Sequence, residues 1–281
     1  MGKLIFSGFT DEYANDFDTQ LSAAKGFGMD AIELRNADGM NVSEMTLPQI
    51  RRYSEKLREN GVLVSAIGSP LGKLPLDGDL EGHWETARKI FEFANILGTD
   101  NIRVFSFYSP KDTPITQCKA AVVDALGPML DMAKAAGVTL CHENEAAIYG
   151  DTPQRCLELL EQFGGELKCV FDMGNFVLEQ MDPLAAYALL RPHIRYFHIK
   201  DALYAGAVVP PGKGEARIQK IITSHRQNSA TDFVITLEPH LQTFSGLNAL
   251  VGRKFENPYR YADLQTAYTD AVTKLKELIH L

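Results

Sequence analysis

The chain alternates eight times between a short apolar segment rich in β-branched residues and a longer segment with the periodicity of an amphipathic helix. The apolar segments are KLIFSGF, DAIELR, VLVSAI, NIRVFSF, VTLCHE, KCVFDM, IRYFHIK and FVITLEP. Eight units in 281 residues leave about 35 residues for each, which accommodates a strand, a helix and two loops. The apolar segments are almost continuously hydrophobic, which is typical of parallel strands that are covered by helices.

This repeat predicts an α/β fold in which eight parallel strands close into a (β/α)8 TIM barrel. No linker, low-complexity stretch or block of charge divides the chain, so we expect a single domain over residues 1–281. Gly61 and Gly137 stand just before predicted strands and are expected to end the helices that precede them. The structural alternative, a doubly wound open sheet, normally has a glycine-rich phosphate-binding loop after its first strand, and the sequence lacks one.

The composition is that of an acidic protein with ample hydrophobic core. A net charge of −8 and a pI near 5.4 argue against a general affinity for nucleic acid or for an anionic membrane. The sequence contains no window of the roughly 18 uninterrupted apolar residues that a membrane span needs, and no signal-peptide cleavage site is recognisable at its N-terminus. The cysteines form no CxxC pair, which favours reduced thiols in a cytoplasmic protein. They are Cys118, Cys141, Cys156 and Cys169.

Residues of metal-ligand type stand at the ends of the last four predicted strands. In a barrel of this kind, the catalytic residues lie on loops at the C-terminal ends of the strands. A single acidic residue at such a place is more often a helix cap, but four consecutive strand ends on one rim are harder to explain in that way. The four residues are Glu143, Asp172, His198 and Glu238.

Three carboxylates and one imidazole suit Mn²⁺, Mg²⁺ or Co²⁺ and are also open to Zn²⁺. Without a cation, the three carboxylates would repel one another and one of them would be driven neutral. A divalent ion would leave a net charge of about −1, with coordination positions open for substrate oxygens. The sequence therefore predicts one divalent metal ion at this rim.

In its C-terminal half the sequence resembles the sugar phosphate isomerase/epimerase family, the xylose isomerase-like barrels. The matching motifs are HENE followed by YGDTP, then FDMGN, FHIKD, PGKGE and LEPH, in family order. The superfamily includes ketose 3-epimerases, hydroxypyruvate isomerases, inosose dehydratases and type IV apurinic endonucleases. The endonuclease branch holds a zinc cluster with extra histidines on strands three and four and another after strand six, where this chain has Asn175. The resemblance therefore implies one metal rather than three.

The resemblance implies a divalent-metal-dependent sugar or sugar phosphate isomerase or epimerase, in which proton transfer passes through a metal-stabilised enediolate. The family's metal ligands would correspond to Glu143, Asp172, His198 and Glu238. Glu143 and Glu238 would also form the catalytic acid/base pair. One alternative is a metal-dependent dehydratase of a keto-inositol or keto-sugar, and a further one is a non-catalytic sugar-binding barrel. The expected partner is a small sugar or sugar derivative, and apolar residues on the helical exterior are compatible with a homo-oligomer.

Eight further residues near the predicted rim are candidates for binding the substrate. They are Lys73, Arg103, His142, Asn144, Asn175, Lys200, Arg217 and His240. Arg217 is included because it resembles a substrate-binding position in some family members. Glu33 and Arg35, in the segment IELR, are equally well interpreted as an ion pair inside the barrel. Asp11 and Glu12 either cap the first helix or touch the substrate.

Overall fold

The computed structural model describes residues 2–242 and 258–281 of the chain. Eight parallel strands form the wall of the barrel, and each corresponds to one of the eight apolar segments of the sequence. They are β1 (Leu4–Gly8), β2 (Ala31–Leu34), β3 (Leu63–Ile67), β4 (Asn101–Val104), β5 (Thr139–Glu143), β6 (Lys168–Asp172), β7 (Ile194–Ile199) and β8 (Phe233–Leu237). The predicted (β/α)8 fold is confirmed.

Helices follow the strands along the chain, as a parallel barrel requires. The described α-helices are α1 (Phe17–Gly26), α2 (Leu47–Asn60), α3 (Leu80–Leu97), α4 (Lys119–Ala136), α5 (Pro153–Gln162), α6 (Met173–Leu178), α7 (Pro183–Leu190), α8 (Ile218–Asn228) and α9 (Leu264–Ile279). Gly61 and Gly137 end α2 and α4 in left-handed conformations, with φ values of 67° and 72°, as the sequence predicts. Among the helices of residues 2–242 and 258–281, none is both long enough and apolar enough to cross a membrane.

The strands pair around the wall in the order β1-β8-β7-β6-β5-β4-β3-β2. At the remaining seam, between β1 and β2, the backbone N–H of Asp30 donates to the Phe6 carbonyl at 2.8 Å. The carboxylate of Asp30 in turn accepts a hydrogen bond from the Phe6 N–H at 3.0 Å. A buried layer inside the barrel is formed by Ala66, Cys141, Val170 and Tyr196. Side chains alternate along a strand, so residues two positions further on face the same interior at the C-terminal rim.

The loop that joins β7 to α8 is built around the carboxylate of Asp201. Oδ2 of Asp201 accepts hydrogen bonds from the backbone N–H groups of Gly212 at 2.8 Å and Gly214 at 3.0 Å, and Oδ1 accepts one from Ala216 at 3.0 Å. A Cβ atom on Gly214 would lie 2.3 Å from Asp201 Oδ1, so only glycine fits this close approach. Asp201 therefore fixes the path of the PGKGE segment.

The loop after β3 is held against the segment that follows β4. Gly72 has a φ of +87°, and a Cβ atom there would lie 2.0 Å from the carbonyl oxygen of Phe105. The Gly72 N–H donates to Nε2 of His83 at 2.8 Å, and the Gly72 carbonyl accepts from the Phe107 N–H at 2.9 Å. These contacts place the next residue, Lys73, beside the ring of Phe105, with Nζ 4.3 Å from the ring centroid.

We predict that Gly72→Ala lowers the free energy of unfolding by about 3 kcal/mol, because it combines a left-handed backbone with a steric overlap. The matched control is Gly61→Ala, since Gly61 has a φ of +67° but a Cβ atom there would meet no described atom within 4 Å. The control should lose only about 1 kcal/mol, from the backbone conformation alone. Urea unfolding of both variants measures the difference, and equal losses would contradict the close approach at Phe105.

Candidate metal centre

Four buried side chains meet at the C-terminal rim of the barrel. They are Glu143, Asp172, His198 and Glu238, and one donor atom from each lies within 4.8 Å of the others. Glu143 and Asp172 are the last residues of β5 and β6, His198 is the penultimate residue of β7, and Glu238 directly follows β8. The strands are parallel and adjacent, so their ends bring these residues to one place. We call this group the rim cluster.

Hydrogen bonds connect the members of the rim cluster. Nδ1 of His198 lies 2.9 Å from Glu143 Oε1 and 3.3 Å from Glu238 Oε2. The ammonium group of Lys200 donates to Asp172 Oδ2 at 2.8 Å and to Glu238 Oε2 at 3.2 Å. The carboxylates therefore converge on an imidazole nitrogen and an ammonium group, both of which are buried.

The largely buried network around the rim cluster contains more acidic than basic side chains. Its carboxylates belong to Asp11, Glu12, Glu33, Glu143, Asp172 and Glu238. Its permanent cations are Arg35, Arg103 and Lys200. Six carboxylates thus face three permanent cations and the imidazole of His198. A bound divalent cation would reduce this excess.

The two glutamates of the rim cluster are held in the ionised form. Burial acts to raise the pKa of Glu143, but the charges of His198 and Arg103 hold that pKa at about 2. Burial also acts to raise the pKa of Glu238, but the charge of Lys200 holds that pKa well below its usual range. Both side chains are therefore held as carboxylates that can bind a cation.

The pKa values of the other two members, Asp172 and His198, are raised rather than lowered. Burial raises the pKa of Asp172 to about 6, against the attraction of Lys200. Burial acts to lower the pKa of His198, but the carboxylates of Glu143 and Glu33 raise it well above its usual range. Without a bound ion, His198 is thus favoured in its protonated form, and metal binding would release a proton from Nδ1.

The donor set fits a divalent cation. Oε2 of Glu143 is buried and accepts no hydrogen bond from the described residues, although Arg103 Nη1 lies 3.2 Å away. His198 directs Nδ1 toward the carboxylates, while its Nε2 lies 3.0 Å from Glu33 Oε2. A site with three carboxylates and one imidazole matches the preferences of Mn²⁺, Mg²⁺, Co²⁺ and Zn²⁺.

Four of the eight residues predicted to bind substrate lie in or against the rim cluster. Lys200 contacts two of its carboxylates, and the side-chain oxygen of Asn175 accepts a hydrogen bond from Lys200 at 3.0 Å. Arg103 Nη1 lies 3.2 Å from Glu143 Oε2 and 3.7 Å from Glu238 Oε1. His240 Nε2 lies 3.3 Å from Glu238 Oε1. These four residues surround the place where an ion and its ligand would lie.

His142 and Asn144 are next to Glu143 in sequence, but they form structural contacts. His142 lies on the opposite face of β5 from Glu143, because side chains alternate along a strand, and its Nε2 is 3.0 Å from Ser106 Oγ. Asn144 exchanges two hydrogen bonds with the backbone of Asp172, at 2.9 and 3.0 Å. The structure therefore does not bring His142 to the rim cluster, and Asn144 joins the ends of β5 and β6.

Lys73 and Arg217 lie away from the rim cluster. Lys73 forms an ion pair with Glu145 at 3.1 Å, and both residues are partly exposed. Arg217 precedes α8 with a φ of +58° and is exposed. Within residues 2–242 and 258–281, Arg217 forms no ion pair or side-chain hydrogen bond with the rim cluster. A substrate role for either residue remains a prediction.

The first two strands supply residues whose partners the sequence does not indicate. Arg35 binds Glu238 Oε1 at 2.9 Å and also pairs with Asp11 and Glu12, at 2.8 and 3.1 Å. Glu33 instead contacts His198, so Glu33 and Arg35 take separate partners rather than each other. The cap of α1 is provided by Asp16. Only the closure of the barrel brings these residues against β7 and β8, and no local motif signals it.

Comparisons with known proteins agree with this architecture. The model of the family described as xylose isomerase-like TIM barrel matches residues 21–248, which is more than half of the chain. Among curated proteins, no sequence match to the chain was found.

Several solved structures share the fold at low sequence identity. D-psicose 3-epimerase, solved in the presence of D-fructose, has a TM-score of 0.74 at 17% identity, with 98% of this chain and 99% of that chain covered. The probable 3-DHS dehydratase AsbF of Bacillus anthracis, which is involved in petrobactin synthesis, has a TM-score of 0.72 at 20% identity, with 98% of each chain covered. A xylose isomerase-like TIM barrel protein of Mycobacterium smegmatis in complex with magnesium has a TM-score of 0.69 at 16% identity, with 98% and 96% covered.

We predict that His142 makes the protein less stable in acid. Burial lowers the pKa of His142 to about 4, whereas the unfolded chain binds this proton near pH 6.5. The unfolded state therefore binds more protons between these values, and stability falls as the pH drops from about 6.5 to about 4, by roughly 3 kcal/mol in total.

The variant His142→Gln removes this titration and retains a polar group for Ser106. Urea unfolding of both proteins between pH 7 and pH 4 isolates the contribution of His142 as the difference between their pH profiles. Parallel profiles would show that His142 is not buried in its neutral form.

Proposed function

Since the chain belongs to the xylose isomerase-like TIM barrel family, we propose that it is a divalent-metal-dependent isomerase or epimerase of a sugar or sugar derivative. The observation that carries the proposal is the convergence of four donor atoms within 4.8 Å at the C-terminal rim of the barrel. Glu143, Asp172, His198 and Glu238 would hold one divalent ion. When bound, such an ion supplies Lewis-acid stabilisation of the negative charge that develops on a substrate oxygen.

Glu143 and Glu238 are the proposed acid/base pair. They extend from β5 and β8, on different sides of the rim, and both are held in the ionised form from which a general base acts. In an epimerisation, one carboxylate would remove the proton from the carbon beside a carbonyl group, and the other, after taking up a proton from solvent, would return it to the opposite face of that carbon. Arg103 lies within 4 Å of both carboxylates and keeps them in place between the two transfers.

The remaining contacts support binding of a hydroxylated substrate. Lys200, Asn175 and His240 present hydrogen-bonding groups around the rim cluster, and sugar hydroxyl and carbonyl oxygens are suitable partners for them. D-psicose 3-epimerase shares this fold, and an epimerase is compatible with it. The expected substrate is therefore a small polyhydroxylated carbonyl compound.

A dehydratase is the second candidate. It would begin with the same removal of a proton next to a carbonyl group and would then expel hydroxide, which leaves as water after protonation. The buried ammonium group of Lys200, which donates to Asp172 at 2.8 Å, is the proposed group to stabilise the departing hydroxide. The fold shared with the probable 3-DHS dehydratase AsbF also supports this reaction. Mass spectrometry of the product separates the candidates, because only dehydration lowers the mass by one water.

We predict that Glu143→Gln or Glu238→Gln loses at least 100-fold in kcat while the protein remains folded, because each change removes a general base but preserves the shape of the side chain. A panel of ketoses incubated in deuterated water, with exchange followed by NMR, provides the assay. His142→Gln is the control, since His142 lies on the other face of β5 and should retain turnover near neutral pH. Wild-type exchange by either glutamine variant would overturn the acid/base assignment.

We also predict that Mn²⁺, Mg²⁺, Co²⁺ or Zn²⁺ stabilises the protein against heat and that Asp172→Asn abolishes most of the effect. An ion present at 100 times its Kd adds about 2.7 kcal/mol to the free energy of unfolding. The measurement is the change in Tm of chelator-treated protein on addition of each ion. If the Tm of the wild-type protein does not respond to any of them, the proposed metal centre is wrong.

A further inference from the structure

A buried chain of hydrogen bonds runs from the rim cluster into the barrel. Nε2 of His198 lies 3.0 Å from Glu33 Oε2, and the hydroxyl group of Tyr196 donates to Glu33 Oε1 at 3.1 Å. These three side chains are almost completely buried, with 0%, 2% and 1% of their surface exposed for His198, Glu33 and Tyr196. Glu33 lies on β2 and His198 on β7, which are three strands apart in the barrel wall. The contact therefore spans the interior.

The two nitrogens of His198 face different surroundings. Nδ1 faces the proposed metal ligands, at 2.9 Å from Glu143 Oε1 and 3.3 Å from Glu238 Oε2. Nε2 faces only the carboxylate of Glu33 within hydrogen-bonding distance among the described residues. A neutral imidazole carries one proton, and it can bind a metal only through the nitrogen that lacks it. A carboxylate at Nε2 holds the proton there and leaves the lone pair on Nδ1.

Aromatic rings restrict how the imidazole of His198 can turn. Phe9 packs edge-on against it, with ring centroids 5.2 Å apart, and Tyr196 does so at 5.5 Å. Packing of this kind limits the ring plane, but it cannot distinguish one ring nitrogen from the other. The hydrogen bond to Glu33 makes that distinction.

We propose that Glu33 is a positioning residue that fixes the proton of His198 on Nε2, so that Nδ1 binds the divalent ion. Tyr196 donates only to the other oxygen of Glu33, Oε1, which does not contact His198. The inference rests on the proposed metal centre, and it assigns to Glu33 a function other than an ion pair with a neighbouring arginine. A buried carboxylate is costly unless it is well paired, which gives a reason for its two hydrogen bonds.

The test compares three variants by calorimetric titration of chelator-treated protein with Mn²⁺ and with Zn²⁺. Glu33→Leu removes the acceptor for Nε2–H, and we expect the affinity for both ions to fall 10- to 100-fold. Glu33→Gln keeps an oxygen that can accept from Nε2–H, so its affinity should lie between those of wild type and the leucine variant. Tyr196→Phe is the matched control, because it removes only the outer hydrogen bond, and we expect less than a threefold change.

Nitrogen-15 NMR of the imidazole groups in the Zn²⁺-loaded protein provides a readout that does not depend on activity. We expect His198 to carry its proton on Nε2 in the wild type and in Glu33→Gln, and the reduced affinity of Glu33→Gln tests the role of Glu33 if Glu33→Leu does not fold. A proton on Nδ1, or a folded Glu33→Leu variant with wild-type affinity, would overturn the role of Glu33. If the wild-type protein binds neither ion, the proposed metal centre itself fails, and that outcome is distinct from a failure at Glu33 alone.

Discussion

Attraction between buried carboxylates and buried cations is the interaction on which this site depends. Glu143, Asp172 and Glu238 lie together where water cannot screen their repulsion, and each is held by a positive group. Lys200 binds two of them, and Arg103 contacts the third from β4. Ionised groups are costly to bury unless such partners are present with good geometry. The barrel supplies that geometry, because it directs alternate side chains of every strand to a common interior.

Closure of the barrel gives the first two strands a part in a site that the last four strands define. Arg35 follows the end of β2 and yet binds Glu238 beyond the end of β8, 203 residues away in the chain. Glu33, on β2 itself, faces the interior and contacts His198. Glu33 and Arg35 are only two residues apart in the sequence, but their side chains contact different parts of one network. The site is therefore a property of the closed ring and not of the C-terminal half alone.

The sequence was sufficient to predict the fold and the four members of the rim cluster. Eight apolar segments at regular spacing indicate parallel strands, and a ligand-type residue at each of four strand ends then has only one rim to occupy. Proximity in sequence was a poor guide to the surrounding residues. His142 directly precedes Glu143 but faces the other side of β5, which the two-residue period of a strand explains. The partners of Glu33, Arg35 and Glu12 could not be predicted, since they depend on contacts across the barrel.

Glu238 shows why a cation at the rim cluster would replace contacts rather than simply add to them. Its Oε1 is 2.9 Å from Arg35, and its Oε2 is 3.2 Å from Lys200 and 3.3 Å from His198. A carboxylate oxygen has two lone pairs, so an ion that binds Oε2 competes directly with the groups already there. Lys200 retains Asn175 and one oxygen of Asp172 as partners, and it can therefore yield Glu238 without losing every hydrogen bond. Affinity for the ion is thus the difference between two sets of favourable contacts, and it is lower than the four ligands alone would give.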